Sequence, residues 1–142
     1  MSWFRIAPVL LAAVSLSLPG LAESPIQGAW HPEIYTLKDG TVREVTGLIF
    51  FTDRDWTVLF FTRDGGGGLE RGAGEGGTFT LEGDRLVFTH LYHLSAGSTP
   101  LKMSAKSPEE AELEPCRIEI AGEVLTIFFP SGNQMRFRRS SR

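Results

Sequence analysis

The sequence predicts an all-β protein, a small closed antiparallel barrel. Apolar and polar residues alternate with a period of two through most of the chain, which is typical of strands with one buried face. Turn signals such as Lys38-Asp39-Gly40 and Pro130-Ser131-Gly132-Asn133 separate these stretches. An early tryptophan in Gly28-Ala29-Trp30 and late arginines in Met135-Arg136-Phe137-Arg138 mark the two strands expected to close the barrel.

The first residues have the order of a secretion signal. A basic segment ends at Arg5, an apolar run covers 6–18, and Pro19-Gly20 precedes the small residue Ala22. This run is shorter than the roughly 20 residues that span a bilayer, which argues against a stable membrane anchor. We therefore expect residues 1–22 to be a signal peptide, residues 23–142 to form a single barrel domain, and the protein to be periplasmic or secreted.

Composition narrows the classes of partner. The 142 residues carry a net charge of −3, and an acidic chain argues against binding to nucleic acid. Cys116 is the single cysteine, so no internal disulfide forms. We favour a buried, apolar role for this thiol over pairing between molecules.

The first three predicted strands cover 27–37, 43–52 and 56–63. In the second and third, large apolar side chains occupy both faces: Leu48, Phe50 and Trp56 alternate with neighbours such as Ile49 and Leu59. One face fills the barrel. The other needs cover from a helix, the N-terminal segment or a second copy in a homodimer, because large apolar patches are unusual on monomers.

A glycine-rich segment runs from Gly65 to Gly77 and holds eight of the 16 glycines. Because glycine loses the most entropy on ordering, we expect a mobile loop here, with a lid over the barrel mouth as its functional alternative. A phosphate-binding loop is disfavoured, since no Gly-Lys-Ser/Thr follows.

Two later segments repeat one hairpin pattern. Residues 78–88 and 117–127 each place a glycine and an acid between two alternating runs. The last strand is expected at 134–139. Between these elements, Ser107-Pro108-Glu109-Glu110-Ala111 has the signals of a short helix start, with Ser107 as the cap, and Leu101 and Met103 suit a short strand.

These motifs together resemble the bacterial lipocalin-like domain family, a branch of the calycin barrels. The matching segments are Gly28-Ala29-Trp30, residues 47–52, residues 77–84, and Arg117 ahead of Gly122-Glu123-Val124-Leu125. The resemblance implies an up-and-down barrel of about eight strands with at most a short helix. It also implies that Trp30 plugs one end of the barrel, where Arg136 or Arg138 stacks on its ring.

The histidines are the best candidates for chemistry. His90 shares a strand face with Leu86, Phe88 and Tyr92, which we expect to point inward. His90 and His93 should face opposite sides without a bulge, so no metal site is expected. Haem ligation by one of them is a minor alternative, and we expect no cofactor.

Two classes of function remain open, and neither is catalytic, because no nucleophile is paired with a base. In the first, the barrel binds an amphipathic or apolar ligand of fatty-acid or isoprenoid size. Its predicted contacts are His90, Tyr92, Phe88, Phe60 and Phe50. In the second, the barrel is filled by its own side chains and serves as an envelope interaction or structural module.

Overall fold

A computed structural model describes residues 24–97 and 100–141 of the chain; the expected signal peptide lies outside these residues. They form ten strands and no helix. The strands are β1 (Gly28–Thr36), β2 (Val42–Arg43), β3 (Val45–Phe51), β4 (Asp55–Arg63), β5 (Leu69–Glu82), β6 (Arg85–Gly97), β7 (Lys102–Ala105), β8 (Glu112–Ala121), β9 (Val124–Phe128) and β10 (Gln134–Arg139). In this part of the chain, no helix is long and apolar enough to cross a membrane.

Eight of the strands form a closed barrel. Their order is β10-β9-β8-β6-β5-β4-β3-β1, and β1 pairs with β10 to complete the ring. All of these pairs are antiparallel, which is the up-and-down topology that the resemblance implied. The two remaining strands are short and lie outside this ring. β2 pairs with the end of β1, next to β3, and β7 pairs with the end of β6, next to β8. The predicted fold class is confirmed.

Both glycine-acid hairpins form where the sequence predicts them. Gly83 and Gly122 have φ values of 63° and 60°, in the left-handed region, whereas the acidic residue after each has no positive φ. A glycine at the first central position is the mark of a type II′ turn, whose twist matches that of paired strands. These turns set the registers of β5 with β6 and of β8 with β9.

The expected mobile loop at Gly65–Gly77 was wrong. The turn is confined to the residues before Leu69, where the Asp64 carboxylate accepts bonds from the N–H groups of Gly66 and Gly68, both at 2.9 Å. From Leu69 onward the glycines belong to β5, which pairs with β4 on one side and β6 on the other. Backbone hydrogen bonds to both neighbouring strands offset the entropy that the glycines lose when this segment becomes ordered.

The helix start expected at Ser107 is a single turn. The Glu110 N–H donates to the Ser107 carbonyl at 3.1 Å, and the Glu110 carboxylate accepts from the Ser107 hydroxyl and N–H at 3.2 Å. The Glu110 carboxylate therefore caps the Ser107 N–H, but the Ser107 hydroxyl donates to that carboxylate and does not accept a backbone N–H as an N-cap would. No helix follows because the chain enters β8 at Glu112, where pairing with β6 takes over.

The core fills the half of the barrel that holds Trp30, which we call the base. Trp30 is fully buried, and its indole N–H donates to the Ile26 carbonyl at 2.8 Å. Around it lie inward side chains from all eight barrel strands; β8 contributes only from Cys116 onward. The largest fully buried ones are Phe51, Phe88, Phe137, Ile26, Leu86, Leu125 and Ile127.

The arginine that covers Trp30 is Arg139, not Arg136 or Arg138. Its guanidinium lies 4.0 Å from the centroid of a Trp30 ring and donates to the carbonyls of Gln27 and Pro25 at 2.8 and 2.7 Å. Met135 and Phe137 are buried, so the period of two sends Arg136 and Arg138 outward, where both bind the Glu33 carboxylate. The stacking at the barrel base is as predicted, but the residue is different.

We expect Trp30→Ala to lower the free energy of unfolding by about 3–5 kcal/mol, because it leaves a cavity at a fully buried site. Arg139→Ala should cost about 1–3 kcal/mol through loss of the ring contact and two charged hydrogen bonds. Arg138→Ala is the matched control, since an exposed ion pair contributes less than about 1 kcal/mol. Chemical denaturation measures all three, and equal losses for Arg138 and Arg139 would contradict this assignment.

Candidate functional site

A bulge in β6 creates the site. In the pairing of β5 with β6, Gly76 lies opposite Tyr92 and Gly77 lies opposite His90, so Leu91 is an extra residue. A Cβ on Gly77 would lie 1.9 Å from the carbonyl oxygen of Thr89, which means that only glycine fits here. The extra residue shifts the alternation by one. His93 therefore lies on the same inward face as His90, contrary to the sequence-based expectation.

The same bulge corrects the orientation of Tyr92. This residue was expected to point inward beside His90, but its side chain is on the outer face and 59% exposed. Phe50 also points outward, 42% exposed, because its neighbours Ile49 and Phe51 take the inward positions of β3. Neither residue lines the cavity inside the barrel, which His90, Phe88 and Phe60 do line, but Tyr92 contributes to the cleft outside it.

Four side chains from three strands form a hydrogen-bonded cluster. His90 lies between two carboxylates, with Nδ1 3.2 Å from Glu75 Oε2 and Nε2 3.1 Å from Glu114 Oε2. His93 Nδ1 lies 3.3 Å from the other oxygen of Glu75, and its Nε2 lies 3.0 Å from the hydroxyl of buried Ser95. We call Glu75, His90, His93 and Glu114 the mouth cluster.

The mouth cluster keeps His90 charged. Hydrogen bonds and charge from Glu114, then from Glu75, raise the pKa of His90 to about 9 against the effect of burial. Burial alone would raise the pKa of Glu75, but the hydrogen bond and charge of His90, together with the charges of His93 and Arg71, outweigh burial and hold that pKa below its ordinary value. At neutral pH the centre of the cluster is thus an imidazolium between two carboxylates.

An inner cavity of about 180 Å³ lies between the mouth cluster and the packed base. One wall is aromatic: Trp56 packs against Phe88 at 4.4 Å and against the His90 ring at 5.1 Å between centroids. The indole Nε1 of Trp56 is buried and has no hydrogen-bond partner in the described part of the chain. The remaining lining residues are Tyr35, Ile49, Val58, Phe60, Arg71, Glu75, Glu114, Ile127, Phe129, Ser131, Met135 and Phe137.

An outer cleft of about 660 Å³ lies on the other side of the mouth cluster. It shares Glu75, His90 and Glu114 with the inner cavity and adds Lys102, Ser104 and Lys106 from β7 and the segment that follows. The cluster is therefore the partition between an apolar chamber inside the barrel and a polar cleft at its mouth.

Two other chemistries find no support in the geometry. Within residues 24–97 and 100–141, no group of three or more His, Cys, Asp or Glu side chains is arranged to hold a metal ion. Cys116 is buried, and burial, followed by the charge of Glu114, raises the pKa of its thiol to about 12. This cysteine stays protonated at neutral pH and is a poor nucleophile.

Comparison with known proteins adds one solved structure. No protein-family model matches the sequence, and no curated protein does so. The crystal structure of a lipocalin-like protein from Bacteroides uniformis matches with a TM-score of 0.50 and 16% sequence identity, and the match covers 81% of this chain and 98% of that one. The protein has a lipocalin-like calycin fold. At this identity the likeness concerns the fold alone.

Sequence reasoning missed three members of this lipocalin-like barrel's site. Glu75 was assigned to the expected loop, His93 to the wrong face of its strand, and Glu114 was not among the predicted site residues. Glu114 had a readable signal, because it alternates with Cys116 and Ile118, which are both buried. The signal for the other two is the Gly76-Gly77 pair, which permits the bulge but does not show which residue of the partner strand is extra.

We expect Glu114→Gln to lower the pKa of His90 by about one unit or more, because Glu114 is the strongest cause of its rise. NMR titration of the imidazole resonances measures this directly, and Glu119→Gln, at an exposed carboxylate bonded to Arg117, is the matched control. Since the folded pKa is above the unfolded value of 6.5, the stabilisation by His90 is complete below pH 6.5 and is lost as pH rises through about 9. An unchanged His90 pKa in Glu114→Gln would contradict the geometry of the cluster.

Proposed function

We propose that this protein binds one small ligand in the inner cavity of its barrel. The observation that carries the proposal is the contrast within one barrel: the base is fully packed, whereas the mouth half leaves a chamber with aromatic walls and a charged rim. Apolar walls with a few convergent polar groups are typical of ligand sites. A lipocalin-like fold supports the same class of function.

The cavity sets the size of the ligand. About 180 Å³ is close to the volume of an engineered cavity that holds benzene, so the chamber accepts about one ring or a short aliphatic group. A complete fatty-acid or isoprenoid chain exceeds it. We therefore propose a smaller ligand than the sequence suggested, with its apolar part beside Trp56 and Phe88 and its polar part at the mouth cluster.

The unbonded indole N–H of Trp56 supports a polar group on the ligand. A buried donor without a partner costs about 1–3 kcal/mol, and an acceptor supplied by a bound molecule relieves that cost. The leader supports an exported carrier, so we place this binding in the periplasm or outside the cell.

We expect single-ring neutral compounds such as benzyl alcohol and indole to bind the purified protein, with NMR shift changes centred on Trp56 and His90. Val58→Phe should weaken binding at least tenfold, because Val58 lines the cavity and a phenyl ring would fill it. Leu59→Phe is the matched control, since the adjacent residue lies on the outer face. Shift changes confined to the outer face of the wild type would overturn the proposal, even if Val58→Phe were unfolded.

A second candidate is an interaction module, favoured by the outer face of β4, β5 and β6. Gly74 and Gly76 point outward and form a strip without side chains, between Leu59 on β4 and the pair of Tyr92 and Leu94 on β6. The ring of Phe61 covers the next outward glycine, Gly72, and ends the strip. The side chains of Leu59, Tyr92 and Leu94 form a ridge on each side of the strip, and each is at least half exposed. We propose that a second copy of the chain covers this face, because a ridge and an adjoining groove on one surface suit a self-complementary contact.

We expect the protein to be a dimer by analytical ultracentrifugation, and Leu94→Glu to make it monomeric by placing a charge on the apolar ridge. Val42→Glu is the control, at an apolar residue on β2 that is also more than half exposed. A monomeric wild type would remove the homodimer from consideration and leave ligand binding untouched, because the outer face and the cavity lie on opposite sides of the sheet.

A further inference from the structure

Two cationic side chains near the mouth take no part in its ion pairs. Glu75 is bonded to His90 and His93, Glu114 to His90, and Glu112 to Lys106. Arg71 and Lys102 form no ion pair or side-chain hydrogen bond with any residue that the structure describes. The carboxylates are thus bonded to partners. Arg71, whose charge acts on Glu75 only through space, and Lys102 have no bonded partner among the described residues and can meet a ligand.

Both free cations belong to the inward faces of their strands. Arg71 lies opposite the inward and buried Thr62 in the pairing of β4 with β5, and it contributes to the wall of the inner cavity. Lys102 lies opposite the inward and buried Ser95 in the pairing of β6 with β7, and it lines the outer cleft. One cation therefore stands at each side of the mouth cluster.

From this arrangement we propose that the ligand is a small organic acid, an aromatic or short aliphatic body with one carboxylate, which Arg71 binds at the rim of the cavity. A guanidinium presents paired N–H groups that match a carboxylate, and burial of the apolar body against Trp56 and Phe88 supplies the rest of the affinity. This inference rests on the proposed function, since it names the chemical class that the same cavity takes.

The charges argue against a cationic ligand in the same place. Such a ligand would approach Arg71 and the His90 imidazolium, and the two carboxylates of the cavity wall, Glu75 and Glu114, are each already bonded to His90. An anion meets Arg71 without breaking any of the bonds in the mouth cluster. Lys102 lies farther out, where it adds attraction as the anion enters.

The test compares three single-ring compounds that differ in charge: benzoate, benzyl alcohol and benzylamine. We expect benzoate to bind the purified protein at least tenfold more tightly than the other two, by NMR titration at neutral pH and low salt. Arg71→Gln should weaken benzoate about tenfold and leave benzyl alcohol unchanged. Arg71→Lys, which keeps the charge but loses the paired N–H groups, should give an intermediate loss. Arg43→Gln is the control, because the Arg43 guanidinium does not line the cavity and its Nη1 lies 3.9 Å from Glu70 Oε2.

The outcomes separate the two proposals. Equal binding of the three compounds, tighter binding of benzylamine, or an Arg71→Gln variant that keeps full affinity for benzoate would overturn the assignment of an acid and leave the ligand cavity standing. Failure of all three compounds to bind at millimolar concentration would overturn the proposed function itself. Amide spectra of each variant verify that it is folded, and the comparison of the three compounds on the wild type needs no variant.

Discussion

The ladder between β1 and β10 closes the barrel, and the placement of every inward side chain depends on it. Once the ring is closed, each strand has one face toward the interior, and a period of two assigns alternate residues to it. Trp30 and Arg139 reinforce this closure at the base, since they are paired in the ladder and the guanidinium lies over the indole ring. Arg139 also fixes the segment before β1 by donating hydrogen bonds to the carbonyls of Pro25 and Gln27.

The site arises where the period of two is broken. Gly77 allows the carbonyl of Thr89 to approach so closely that no side chain fits, and the bulge at Leu91 follows. That single extra residue turns His93 inward and Tyr92 outward. A regular strand would have put one histidine on each side of the sheet, and Glu75 would have kept one partner instead of two. Bulges beside functional sites commonly re-aim side chains in this way.

Polarity inverts between the base and the mouth of the molecule. At the base, apolar side chains fill the interior. Toward the mouth, the interior of β5, β6 and β7 carries Glu75, His90, His93 and Lys102, while the exterior carries Leu59 and Leu94. Charged groups tolerate this partial burial because each carboxylate there has a partner, and His90 is held as a cation by two of them. The inversion is the physical reason to expect the polar group of a ligand at the mouth of the interior and an apolar contact on the outer face.

The sequence by itself determined the all-β class, both glycine-acid hairpins, the closing strand and the buried tryptophan. These follow from local signals, namely alternation, turn residues and the position of Trp30. Only the tertiary structure decided that the segment from Leu69 to Gly77 is a strand, because ladders with two neighbours outweigh an entropic cost that is fixed by composition. It also decided which arginine covers Trp30 and which faces His93 and Tyr92 take. Those outcomes depend on barrel closure and on one bulge, and both arise from pairing between distant residues that no local pattern contains.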